Sequence, residues 1–422
     1  MVISRTRSFL ARTIGMNPLR SPQLAPARAA FRARRDWALD LRHLPQHLAA
    51  VHRRAPRQRV SGRLQLFNLD VHISPISDFR SITTPMGVDL TDWTISGHAD
   101  VIGRHREPVL GFNALNWRNL SPKVVDKFID RYGRYLDQFD GFVTTTTPAF
   151  ATLFLRLQKP IIAICATRYE QPFTGQPHRW AWLDDQLRKG VEDGQLHVVA
   201  NNLGDQAYLR HFTGIDSTYV PSLGSYTNAP YAPRDRHFAI GSKSALCNQM
   251  IKASTRNLAR PSDEILGARA TWQERNSVRG WVHVPYNISQ MTIFEQYWEN
   301  VPIYIPDDKF LFDLWCKNPG DVLSELSMYQ VLGLPTDKLP AGDPNRVCDP
   351  DVIRWWLERS DYGPQGELSK IVRFSSFQHL TDLLATQDDE VLSEMMRQSN
   401  VIRRDSIMSA WEQVINSVWG LS

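Results

Sequence analysis

The chain has 422 residues, 42% hydrophobic and 22% charged, a globular composition with length for about two or three domains. No apolar run approaches the ~20 residues of a bilayer span, and Cys165, Cys247, Cys316 and Cys348 are too scattered for a disulfide framework or a cysteine zinc site, so a soluble or at most peripheral protein of a reducing compartment is expected. The net charge of +5 divides unevenly: residues 1–60 hold thirteen Arg, no Lys and only Asp36 and Asp40, a net +11 that leaves −6 for the rest, which disfavours nucleic acid as a partner.

Residues 1–60 are rich in Arg and Ala and interrupted by Pro18, Pro22 and Pro26, an extension expected outside the main core. Residues 5–14 can form a short amphipathic helix. Such a composition suits an organelle transit peptide, a high-Arg leader or a basic arm in peripheral contact with a membrane, so location is read as cytoplasmic, membrane-peripheral or organellar. A second helical patch over 30–52 presents Trp37, Leu39, Leu41, Leu44 and Leu48 for packing on the main body.

From residue 61 the pattern changes to alternating strands and helices. A strand over 64–69 ends in the polar cluster Asp70, His72 and Ser74, and a second over 92–95 ends at Ser96, Gly97 and His98. There follow a helix over 121–137, a strand over 141–146, a helix after Pro148 and a strand over 160–166. A helix over 178–192, a strand over 196–200, a helix over 205–212 and a strand over 218–221 complete a doubly wound parallel unit, residues 61–228. Residues 222–236, rich in Pro, Tyr, Asn and Ser, read as the linker.

A second alternating unit, residues 229–386, opens with a short strand over 237–240 that leads into Gly241, Ser242 and Lys243. Residues 280–306 then read as strand, helix, strand: an apolar run ends at Val284, Pro285 and Asn287 break it, Thr292 and Glu295 have capping-box spacing, and Pro302 opens the next strand. Helices are expected over 308–316, within 319–345 and over 350–361, with a strand over 371–374 and a helix over 377–385. Residues 387–422 hold two final helices, 389–398 and 404–418, placed to pack across the cleft.

A Glu early in a helix, followed seven residues later by a Pro that opens a strand, resembles the donor-binding segment of GT-B glycosyltransferases, with Glu295 and Pro302 in the matching places. The stretches 201–206 and 220–223 look like the end of a GT-B first domain. The resemblance implies two Rossmann-like doubly wound domains facing a cleft, a C-terminal helix returning to the first, and a nucleotide-sugar donor. It implies Glu295 on the donor ribose; Ser289, Met291 and Thr292 near the diphosphate, at a helix N-terminus that favours anions; Ser242 and Lys243 on the diphosphate; and His283, Pro285 and Tyr286 by the nucleotide base. Beside this stand plainer readings: Glu295 as the return half of a capping box, Lys243 as a solvated lysine, His283 as a satisfied core histidine.

Transfer to a hydroxyl acceptor, whether glycan, lipid or small molecule, needs a base. Asp70 and His72 share a face if their strand continues, and His98 can meet them at a neighbouring strand tip; a local turn network is the alternative. Arg168 and Glu170 can contact an acceptor or a phosphate, or pair with each other. Asn287 stands where many retaining GT-B enzymes carry a Glu, which favours inversion. Asp349 and Asp351 open a helix rather than form an Asp-x-Asp metal site, so neither metal nor cofactor is expected. Rival readings are a nucleotide-sugar epimerase of related architecture and a non-catalytic sugar or nucleotide binding protein, while a dinucleotide oxidoreductase lacks its Gly-x-Gly-x-x-Gly.

Overall fold

The computed structural model describes residues 62–96, 109, 112–113, 116–267, 270–326, 328 and 335–420. The Arg-rich extension over 1–60 and His98 lie outside these residues. Two sheets organise the described chain, and their strand pairings are all parallel.

The first sheet arises from β1 (Leu64–Asp70), α1 (Ile73–Thr83), β2 (Val88–Thr94), α2 (Pro122–Leu136), β3 (Gly141–Thr144), β4 (Ile161–Cys165), α3 (Trp180–Glu192), β5 (Leu196–Ala200), α4 (Leu203–Thr213) and β6 (Thr218–Tyr219), in the order β2-β1-β3-β4-β5-β6. Its central strands are buried on both faces, as parallel strands between helical layers must be. Phe67, Phe142 and Ile161 enter one apolar cluster while their neighbours Leu66, Val143 and Ile162 enter another.

Two expectations fail here. β1 stops at Asp70 and a helix begins at Ile73, so Asp70 and His72 do not share a strand face. That helix was not foreseen, because Ser and Pro mask its pattern; Pro75 is tolerated in the first turn, where its missing amide has no helical partner, and Ile73, Ile76, Phe79 and Ile82 form the buried stripe. After Pro148 the chain forms a 3-10 turn, Pro148–Leu153, rather than an α-helix.

The second sheet is built from β7 (Phe238–Ser242), α5 (Ala245–Ser254), β8 (Ala259–Pro261), the short helices α6 (Ser262–Ile265) and α7 (Trp272–Arg275), β9 (Gly280–Val284), α8 (Met291–Trp298), β10 (Ile303–Pro306), α9 (Asp308–Lys317), α10 (Pro350–Glu358), β11 (Val372–Phe374) and α11 (Phe377–Thr386). Its order is β11-β10-β9-β7-β8. Each sheet therefore runs from its founding strand to one side and then reverses, giving topological switch points between β1 and β3 and between β7 and β9. In open parallel sheets such crevices, at the carboxyl ends of the strands, hold ligands.

The C-terminal segment is one helix, α12 (Asp389–Trp419), where two were expected. Asp388 starts it by accepting from the amides of Glu390 and Val391 at 3.0 and 3.1 Å. Its first half lies on the second sheet's unit: Asn400 Nδ2 donates to Tyr297 O at 2.7 Å, and Ser399 Oγ bonds Tyr297 Oη at 3.0 Å. The second half lies on the first, where Ile407, Trp411, Val414 and Ile415 join Phe79, Ile82, Val143 and Ile162 in one cluster.

Candidate functional site at the facing sheet ends

The carboxyl ends of the two sheets face each other. Arg168, just past β4, donates to Asn345 Oδ1 at 3.1 Å and to Leu326 O at 3.2 Å, and its guanidinium lies over the rings of Tyr208 and Trp356. Past β5, Gly204 packs so closely on the loop after β9 that a Cβ there would come 2.1 Å from Ile288. Two doubly wound parallel sheets with facing carboxyl ends, crossed by one C-terminal helix, make the architecture plain. The fold is of the GT-B type.

No family model and no curated protein matches the chain. Among solved structures it is similar to the glycosyltransferase SnogD from Streptomyces nogalater, at 12% identity over 84% of this chain and 99% of that one, TM-score 0.41. It is also similar to the glycotransferase of kitacinnamycin, at 11% identity over 84% and 99%, TM-score 0.38. A third similar structure is the spinosyn rhamnosyltransferase SpnG complexed with thymidine diphosphate, at 9% identity over 82% and 99%, TM-score 0.33.

Within this GT-B fold the segment joining the sheets is held from both sides. Asp78 of α1 accepts from the amides of Leu223 at 3.1 Å and Gly224 at 2.7 Å, and Arg403 of α12 donates to Ser222 O at 2.9 Å. Glu299, at the C-terminal end of α8, accepts from Thr227 Oγ1 and from the Ala229 amide. Glu295, 2% exposed, accepts from the hydroxyls of Tyr226 and Ser74. Burial raises the Glu295 pKa to about 7 against the downward pull of those hydroxyls. Two readings of Glu295 are thereby corrected. α8 begins at Met291 with Gln290 as its N-cap and no side-chain cap, so Thr292 and Glu295 form no capping box; and the carboxylate faces the connecting segment and α1 instead of an open ribose site.

At the second switch point Lys243 and Tyr286 come together. Lys243, following Ser242 at the tip of β7, places Nζ 3.2 Å from the Tyr286 ring centroid and 3.6 Å from Glu325 Oε1. Asn287 Nδ2 donates to Glu325 Oε2 at 2.9 Å. Burial lowers the Lys243 pKa while Glu325 raises it. Lys243 is therefore not the solvated lysine of the plainer reading. Ser242 Oγ accepts from the Ser244 amide at 3.1 Å, Pro285 O accepts from Leu323 N at 3.0 Å, and Ser289 bonds the buried carboxyl of Asp361. Met291 and Thr292 are half-buried in the first turn of α8.

His283 does not join this group. It is buried in β9, bonded through Nε2 to Gln296 Oε1 at 2.6 Å and stacked on Trp281, and a Cβ at Gly241 would lie 2.5 Å from its Nδ1. Burial lowers its pKa. The core reading replaces the base-contact expectation, because neighbours Val282 and Val284 face one way and His283 the other.

At the first switch point Asp70 is buried and accepts from the amides of Val71, Thr145 and Thr146 at 2.6, 2.6 and 2.8 Å. It ties β1 to the chain leaving β3, and burial pushes its pKa up despite these bonds. With its oxygens so engaged it is a staple of the crevice, not a free base. His72 is exposed at the N-cap of α1. Glu170 is buried and accepts from Tyr208 Oη at 3.2 Å, so with Arg168 it belongs to the contact between the sheet units rather than to an open acceptor surface.

The residues missed from sequence are Glu325, Tyr226 and Asn345. Glu325 reaches the site because residues 323–325 run beside the end of β9, with Leu323 N on Pro285 O and Glu325 N on Tyr286 O, both at 3.0 Å. No local pattern signals a pairing between positions about forty residues apart. Asp349 and Asp351 are accounted for locally: Asp349 accepts from the Asp351 amide as the N-cap of α10, and Asp351 pairs with Arg354.

Proposed function

We propose that the chain transfers a sugar from a nucleotide-sugar donor to a hydroxyl acceptor, by direct displacement with inversion and without a metal. The observation that carries this reading is the β7/β9 switch point: a lysine, a tyrosine ring and an asparagine amide lie at strand tips beside the entry to α8, facing the first sheet's tips across the cleft. Lys243 is placed to offset charge that develops on a departing diphosphate. Tyr286 offers a ring face and Asn287 a donor.

In the proposed step an acceptor hydroxyl oxygen bonds to the anomeric carbon as the bond from that carbon to the diphosphate breaks. The electron pair leaves with the nucleoside diphosphate, and the hydroxyl proton passes to the imidazole of His72, an exposed titratable group beside the first switch point. Asp70 holds that crevice in shape.

The test is a thermal-shift panel of nucleotide sugars on the full chain, followed by acceptor-dependent release of nucleoside diphosphate. A nucleotide-selective rise in melting temperature, lost in Lys243→Met with the unliganded melting temperature kept, supports the reading. Interconversion of donor sugars without acceptor identifies an epimerase instead. No shift with any donor overturns nucleotide-sugar binding.

A further inference from the structure

Glu325 stands at the mouth of the β7/β9 switch point, surrounded by groups that favour negative charge. Lys243 approaches one carboxylate oxygen at 3.6 Å and Asn287 Nδ2 donates to the other at 2.9 Å. Arg168, from the tip of β4 across the cleft, adds a further attraction. These three groups come from three different elements, and they converge on one carboxylate that belongs to none of them. The pair is not sealed in the core: the side chains of Lys243 and Glu325 retain 28% and 23% exposure.

A lysine half-buried over an aromatic ring is costly to keep charged without an anion. Glu325 supplies that anion. Yet a diphosphate entering the same crevice would meet a like charge, which opposes binding strongly in a partly desolvated site. A single arrangement satisfies both facts: the carboxylate is present before the ligand and gives way to it.

We propose that Glu325 is a built-in counter-anion, whose carboxylate holds Lys243 and Asn287 in place of a diphosphate and is displaced when one binds. This rests on the nucleotide-sugar reading above and adds to it a self-occupied state of the site. Displacement also involves the cross-cleft contact, because Leu326, the next residue, gives its carbonyl to Arg168. An anion that takes Glu325's partners therefore acts on the segment through which the two sheet units touch.

The test is calorimetric titration of inorganic pyrophosphate, and of the nucleoside diphosphate that performs best in the panel, into the full-length protein and its variants. Glu325→Gln keeps shape and the Asn287 bond and removes the charge, so it should bind pyrophosphate about tenfold more tightly, or better, as expected for removal of a like charge beside the phosphates. Glu325→Asp retains the charge and should bind no more tightly than wild type. Adding Lys243→Met to Glu325→Gln should abolish the gain. Equal or weaker binding by a folded Glu325→Gln, or an equal gain in Glu325→Asp, overturns the inference while leaving the transferase reading intact if wild type still turns over a donor. If no form binds pyrophosphate or any nucleoside diphosphate, both fall.

Discussion

The hydroxyl of Tyr226 donates to the carboxylate of Glu295, joining the segment between the sheets to the helix that follows β9. The bond closes a chain of contacts in which the backbone of that segment is gripped by Asp78 from one side and Glu299 from the other. The orientation of the two sheets is thus set by buried carboxylates rather than by a free hinge.

Two of those carboxylates, Glu295 and Asp78, make stability depend on pH. Burial raises Glu295 to about 7 and Asp78 to about 6. Because the folded state binds these protons more tightly than the unfolded state, their contribution is present at low pH and is lost as pH rises through about 6 and 7. The melting temperature should accordingly be lower at pH 8 than at pH 6. Glu295→Gln should flatten the upper part of that slope; an unchanged slope in a folded variant would refute the assignment.

Gly224 sits where the connecting segment crosses α8. Its φ is +83°, and a Cβ would come 2.7 Å from the carbonyl carbon and oxygen of Phe294. Gly224→Ala combines left-handed strain with a backbone clash and should cost about 2–4 kcal/mol in denaturant unfolding. A change below about 0.5 kcal/mol, the scale of a neutral surface substitution, would show that the two elements do not meet so closely.

Trp411 of α12 meets Phe79 of α1 edge to face, with ring centroids 5.1 Å apart. Trp411→Ala should cost about 3–5 kcal/mol through lost burial and the cavity left behind. Amide exchange should accelerate in the second half of α12 more than in the first, which remains held by Asn400 on Tyr297 and Trp298. Uniform acceleration along the helix would mean that its two halves are not anchored independently.

Arg168 combines cation–π contacts with Tyr208 and Trp356 with two directed donors from one guanidinium, a combination that an ammonium does not reproduce. Arg168→Lys should therefore resemble Arg168→Ala, each enlarging the solution radius of gyration and exposing the 343–347 segment to proteolysis. Full retention of compactness by the lysine variant would reduce the contact to simple charge.

Much of the architecture was legible. The alternation of strands such as 141–146 and 196–200 with amphipathic helices is a local property of side-chain order, and it marked a parallel fold before any pairing was known. Local order failed at α1, where Ser74, Pro75 and Ser77 dilute the stripe that packing against Trp411 completes. It also failed at Thr292 and Glu295, whose capping spacing was real but whose helix starts two residues too early to use it.

For the site, sequence by itself determined which residues stand at strand ends: Asp70, Arg168, Lys243 and Tyr286 follow directly from where apolar runs stop. Tertiary structure alone decided what each of them faces. Glu295 turns to Tyr226, and Lys243 meets Glu325, through contacts that join residues about seventy to eighty positions apart. Strand ends are set by interactions between near neighbours along the chain, whereas the partners of a buried charge are set by whichever distant segments fold over it and must compensate its desolvation.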